Sequence, residues 1–291
     1  MEFREFTHQR IFSNGVRLHL RVAGTGKPIL LVHGWLGTSY TWRKIAPLLV
    51  AAGYQVICPD MRGYGDSDKP LTGYDGLTLV EDLRAIIAQL GITEKVQVVG
   101  WDMGALPTFL FAAHYPNEVA SITYLDEPLP SVNLHELTTF KKENYGGYWH
   151  FGFNSATDLP ELLIHGKERE FWNYLYSIML YNPEAVSEED KDEYMRTYAA
   201  AGGIRGSVGW YKEALTTTDQ FARFLQKEKL TVPVLALGGQ FGSPYTYTQL
   251  APYCQQITGG IIPECGHMVA EEQPERLFEQ LLPFFQAHQN A

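Results

Sequence analysis

Three short stretches of this 291-residue chain carry side chains able to do covalent chemistry. In Gly100-Trp-Asp-Met-Gly104 a carboxylate, Asp102, stands between two glycines directly after the apolar run Val96 to Val99. That frame is the strand-to-helix elbow on which many hydrolases expose a serine. Glycines suit it because the turn leaves little room for Cβ atoms on either side. A serine attacking a saturated carbon would form an ether, which water does not readily cleave. An aspartate forms an ester, which water can hydrolyse at the enzyme's own carboxyl carbon. The residue type therefore predicts alkyl carbon, rather than carbonyl carbon, as the electrophile.

The second stretch, Glu264-Cys-Gly-His267-Met, supplies the base that ester hydrolysis needs, late in the chain and after the last expected strand. The third is the acid that fixes the histidine tautomer and stabilises its charged form. Thr231 to Pro263 contains no Asp or Glu, and Gln240 stands where such an acid is usually sought. The search moves to the end of the preceding strand, where Asp126 is the choice and Glu127 the alternative. The oxyanion formed during hydrolysis needs backbone donors. The loop Leu31-Val-His33-Gly34-Trp35-Leu36-Gly37 offers the Trp35 N–H and the elbow offers the Met103 N–H, each worth roughly 10²- to 10³-fold in rate. His33 is expected to brace this loop.

These residues require an α/β scaffold. Strands are expected at Gly15 to Val22, Pro28 to Val32, Tyr54 to Cys58, Val96 to Val99, Val119 to Leu125, Val232 to Leu237 and Gly260 to Ile262. Helices are expected at Tyr40 to Ala52, Leu77 to Leu90, Met103 to His114, around Pro244 to Cys254, and from Glu271 to about Ala287. Pro107 is expected to tighten or bend the helix after the elbow. From about Pro128 to Asp219 strand-like alternation stops, and helical stretches such as Glu168 to Tyr181 and Glu188 to Ala201 take over. The expected architecture is a mostly parallel central sheet flanked by helices. Residues 1–127 and 220–291 form the core, and 128–219 an inserted helical cap.

Composition narrows the partners. A net charge of −10 without a Lys/Arg block argues against nucleic acid or an anionic membrane surface. No apolar segment approaches the ~18 residues of a membrane span, and the first residues lack a cationic start followed by an apolar run. The cytoplasm is thus the expected compartment. Cys58, Cys254 and Cys265 are too few and too scattered for a disulfide framework or a metal site, and buried filler is their expected role. The chemistry asks for no cofactor and no metal. A homodimer through exposed cap surface is left open.

Together the motifs resemble the α/β-hydrolase fold and, within it, epoxide hydrolases and dehalogenases with an aspartate nucleophile. His33-Gly34, Arg62-Gly-Tyr-Gly-Asp-Ser67, Gly100 to Gly104 and Cys265-Gly-His-Met-Val-Ala-Glu-Glu-Gln-Pro274 carry the likeness nearly end to end. Asp126-Glu-Pro128 and Trp149-His-Phe151 are similar to elements of the bacterial Cif-type epoxide hydrolases. The resemblance implies an epoxide and water as reactants, with His150 and Tyr211, in Gly209-Trp-Tyr-Lys212, hydrogen-bonding the epoxide oxygen; Tyr194 and Tyr198 compete for the tyrosine role. Two departures stand out: Leu36 occupies a position where many relatives carry proline, and Trp101 one where they often carry histidine. Haloalkane and fluoroacetate dehalogenases are the alternative. They commonly place tryptophan or arginine after the nucleophile, where this chain has Met103. A non-catalytic ligand sensor is a further alternative, which would not need nucleophile, base and acid together.

Overall fold

The computed structural model describes residues 1–130 and 149–289. Of the expected cap, 128–219, residues 131–148 lie outside the described residues. Eight strands form one sheet in the order β1-β2-β4-β3-β5-β6-β7-β8. They are β1 Thr7–Ser13, β2 Val16–Ala23, β3 Pro28–Val32, β4 Gln55–Pro59, β5 Val96–Trp101, β6 Val119–Leu125, β7 Val234–Gly239 and β8 Ile257–Ile262. Pairing is antiparallel from β1 through β2 to β4 and parallel from β4 onward. Every residue of β3, β5 and β6 is buried, as expected for parallel strands covered on both faces. The edge strand β1 is mostly exposed, so its sequence lacks the apolar run that marked the others, and sequence reading missed it.

The helices are α1 Ala46–Ala51, α2 Gly76–Gln89, α3 Ala105–His114, α4 Trp149–Ser155, α5 Leu159–Ile164, α6 Glu168–Met179, α7 Glu188–Tyr198, α8 Gly203–Ser207, α9 Gly209–Lys212, α10 Ala214–Leu225, α11 Thr246–Leu250, α12 Val269–Glu272 and α13 Pro274–His288. Prolines account for the two largest differences from expectation. The helix expected from Tyr40 to Ala52 is a 3₁₀ turn at Ser39–Trp42 followed by the short α1, because Pro47 fits only a first helical turn. The last expected helix is divided into α12 and α13, with Pro274 opening the second. A tighter 3₁₀ turn, Asp102–Gly104, leads directly into the helix that carries Pro107. Pro107 is the third residue of α3, where the missing N–H has no intrahelical partner to lose.

Among the described residues no strand separates β6 from β7; α4 to α10 fill that interval. Polar contacts, from buried to exposed, tie these helices to the sheet layer. Glu271 on α12 receives Arg43 and the Tyr194 hydroxyl of α7. Tyr181 and Asn182, just past α6, donate backbone N–H groups to Glu272. Among the described residues no helix is long and apolar enough to cross a membrane.

Candidate active site

Parallel register brings the sites together. Val32 pairs with Gly100 and Trp101 with Leu125, so the residues following β3, β5 and β6 emerge side by side at the strands' C-terminal ends. The elbow after β5 is a 3₁₀ turn, Asp102–Gly104, with Asp102 at φ 53°. A side chain in that left-handed region is strained, and the close neighbours explain how it is held. A Cβ on Gly104 would collide with the His33 carbonyl oxygen, one on Gly100 with Thr108 Oγ1, and one on Gly34 with Asp102 Cβ. Three glycines let the β3 loop and α3 close on the aspartate from opposite sides.

The Asp102 carboxylate is divided between two tasks. Oδ1 accepts from the Trp35 N–H at 3.1 Å and from the Met103 N–H. Oδ2 lies 3.1 Å from His267 Nε2. The other imidazole nitrogen, Nδ1, lies 2.6 Å from Asp126 Oδ2. Asp126 Oδ1 in turn accepts from the backbone N–H groups of Gly239 at 2.6 Å and Ser243 at 2.8 Å. The loop after β7 has no acid of its own; it presents two backbone donors to the acid that stands at the end of β6. Gly242 leaves space for that carboxylate, since a Cβ there would sit 2.5 Å from Asp126 Oδ2. Glu127, the alternative acid, makes no such contact with His267.

His267 is buried between two anions. Burial would depress its pKa, but the hydrogen bonds and charges of Asp102 and Asp126 outweigh burial and raise it well above the usual histidine value. Its backbone is fixed as firmly as its ring: the His267 N–H donates to the Met179 carbonyl at the end of α6, at 2.8 Å.

Trp101 now has a role in the geometry. Its indole N–H donates to the His267 carbonyl at 2.8 Å, and its ring lies 5.2 Å from the imidazole. Sequence reading found no reason for this residue, because its partner lies 166 positions away. Leu36 adopts φ 66°, a conformation the proline ring forbids, so the proline of many relatives could not take this loop's path. His33 Nε2 accepts from the Met61 N–H at 3.0 Å and Nδ1 contacts the Gly34 carbonyl oxygen at 2.9 Å, which braces the loop. Cys58 and Cys265 are buried thiols whose pKa burial pushes up, the behaviour of inert filler.

Above these groups lies a cleft of about 200 Å³, lined by Asp102, Asp126, His267, Trp35 and Met103 below and by Trp149, His150, Phe151, Ile178, Met179 and Tyr211 from the helices above. His150 stacks on Trp35 with ring centroids 5.5 Å apart, and Tyr211 meets both rings edge-on. Burial, only partly opposed by the Asp102 charge, lowers the His150 pKa to about 4, so the ring is neutral near pH 7. Burial and then Asp102 push the Tyr211 phenol well above its usual value, which keeps its proton in place. The competing tyrosines are committed elsewhere: Tyr198 donates to the Gly37 carbonyl oxygen and Tyr194 to Glu271.

The chain matches the alpha/beta hydrolase fold family over residues 27–274. It is 34% identical over 294 aligned positions to the soluble epoxide hydrolase of Corynebacterium sp. strain C12, covering 97% of this chain and 98% of that one. Among solved structures, Cfl2 of Burkholderia cenocepacia superposes with a TM-score of 0.90 at 35% identity, over 96% of each chain. The Cif epoxide hydrolase of Acinetobacter nosocomialis gives a TM-score of 0.90 at 25% identity, over 96% of this chain and 88% of that one.

Proposed function

The chain belongs to the alpha/beta hydrolase fold family and, within it, to the epoxide hydrolases, and on that premise we propose how its own residues open an epoxide and release a vicinal diol. The observation that carries the proposal is the divided carboxylate: one Asp102 oxygen sits on two backbone N–H groups while the other faces His267 in the cleft.

Asp102 Oδ2 is the attacking oxygen. It forms a bond to an epoxide carbon, and the ring C–O bond breaks with its electrons moving to oxygen. His150 and Tyr211 are the donors for that developing alkoxide, and both are neutral: the phenol keeps its proton and the imidazole carries one N–H. The product of this step is an ester, and the ester no longer carries the Asp102 charge. One of the two anions that hold the proton on His267 is thereby removed, so the base becomes available once there is an ester to hydrolyse. Water then attacks Asp102 Cγ and passes its proton to His267 Nε2, while Asp126 stabilises the imidazolium. The negative charge develops on Oδ1, which already rests on the Trp35 and Met103 N–H groups. The proton that His267 sheds once the ester has formed is balanced by the one the epoxide oxygen takes up to become the first hydroxyl. Collapse then breaks the ester C–O bond, the departing oxygen takes the water-derived proton from His267 to become the second hydroxyl, and the proton left on the re-formed Asp102 carboxyl passes to His267, which restores the resting ion pair.

In this reading α4 to α10 act as a cap over the strand ends, and their aromatic lining suits an apolar epoxide. No Lys or Arg lines the cleft among the described residues, which disfavours the carboxylate-bearing substrate of a haloacid dehalogenase. The test is His267→Gln incubated with separate panels of epoxides and haloalkanes and read by intact mass. The expected result is a stable adduct equal to the full epoxide mass. An adduct of alkyl mass with free halide would favour dehalogenation instead, and no adduct from either panel would sink the covalent mechanism.

A further inference from the structure

One titratable group in the cleft is left unused by this mechanism. Glu127 lines the cleft beside Asp102 and Asp126 and is 7% exposed, yet its carboxyl has no hydrogen-bond or ion-pair partner among the described residues. Its neighbour Asp126 has three nitrogen partners. Burial raises the Glu127 pKa well above the carboxylate range, the Asp102 and Asp126 charges raise it further, and His267 only partly opposes them. Both effects favour the neutral acid, which offers one O–H donor and one carbonyl acceptor.

Glu127 also lines a second, much smaller cavity of about 10 Å³, room for about one water-sized group such as a hydroxyl, together with Met103, Leu106, Phe151 and Thr218. Met103, Glu127, Pro128 and Phe151 belong to the walls of both spaces, so the carboxyl stands at their junction. The Glu127 oxygens are not fully enclosed: they keep surface toward the cleft, where a ligand group can pair with them. A carboxylate substituent on the ligand would meet Asp102 and Asp126 with no Lys or Arg among the described lining residues to offset them. A hydroxyl both accepts from and donates to a neutral carboxyl and adds no charge.

We propose that Glu127 is a specificity-determining residue whose carboxyl hydrogen-bonds a neutral hydroxyl on the epoxide substrate, carried on the arm that runs from the reacting carbon toward the smaller cavity. The proposal rests on the epoxide hydrolase reading above. It is tested with terminal epoxides whose chains end in a hydroxyl, from glycidol upward, each paired with the alkyl epoxide in which a methyl replaces that hydroxyl.

In the best-fitting pair the wild type is expected to favour the hydroxyl member about tenfold in kcat/KM, mainly through KM. Glu127→Leu removes that preference, whereas Glu127→Gln, which keeps a donor and an acceptor, retains most of it. A leucine variant that preserves the preference, or that slows both members of each pair equally, overturns the proposal. So does a wild type that favours the alkyl member of every pair, a result that does not depend on either variant folding. A wild type that opens no epoxide in either series overturns the premise and the proposal together. Turnover with flat ratios overturns the proposal alone.

Discussion

Two histidines face the same cleft from opposite sides, and their surroundings push them in opposite directions. His267, on the sheet side, is held between two carboxylates and binds its proton more tightly than a free histidine. His150, on the helical side, sits in an aromatic stack where burial dominates, and its pKa falls to about 4. The difference is one of scaffold. Strand ends and backbone N–H groups fix the carboxylates around His267, so charge is cheap to maintain there. The helices above contribute mainly rings, which exclude water and favour neutral donors. In the mechanism proposed above, the first region holds charge during ester hydrolysis and the second stabilises an alkoxide during ring opening.

The largest expected effect comes from the sheet side. Asp126→Asn keeps an acceptor for Gly239 and Ser243 but turns an amide donor toward His267, which favours the wrong tautomer. Ester hydrolysis is expected to slow about 10⁴-fold while ester formation stays within about tenfold, read by rapid-quench accumulation of the covalent adduct. Equal slowing of both steps would erase the proposed division of labour. On the helical side Tyr211→Phe reverses the pattern: ester formation slows about 10²-fold and hydrolysis of preformed ester is unchanged. A phenylalanine variant that instead accumulates ester contradicts the role given to this tyrosine.

Stability should show the same opposition. His150 has a folded pKa below its ordinary 6.5, so its contribution is complete above 6.5 and is lost as pH falls toward about 4. His267 has the opposite sign: its contribution is complete below 6.5 and is lost as pH rises through its elevated pKa. Melting curves of His150→Gln should therefore be flatter than wild type on the acid side, at about 2–4 °C per kcal/mol of linkage. Parallel acid limbs for the two proteins would refute the assignment. The smallest effect is expected at Trp101→Phe. It keeps a ring beside His267 but removes the N–H that holds the His267 carbonyl, at about 1 kcal/mol of stability. An unchanged melting temperature would remove Trp101 from the set of residues that fix the catalytic loop.

Legibility followed locality. The elbow around Asp102 and the loop before His267 are short segments in which residue type and glycine spacing describe the backbone directly. The buried strands β3, β5 and β6 were equally plain, because strands covered on both faces are apolar throughout. Edge strand β1 was invisible for the converse reason, and Pro47 shortened a helix whose apolar stripe had suggested a longer one. Asp126 emerged only because the later segment contains no acid. That Gly239 and Ser243 donate to it carried no signal, since a backbone N–H is present at nearly every position. Glu127 was visible as a second acid; its solitude in the cleft was not.

Sequence alone determined which chemistry is proposed: an aspartate on a hydrolase elbow can form an ester with alkyl carbon that water can cleave, and that capacity follows from the atoms of the side chain. It also determined the alternation of strands and helices that carries the elbow. Tertiary structure decided which groups act on one another. His267 meets Asp126 across 141 positions and Asp102 across 165. The same packing removes Tyr194 and Tyr198 from the cleft and leaves Tyr211 within it. Charge state was decided there too, since a pKa depends on distance and burial rather than on order along the chain.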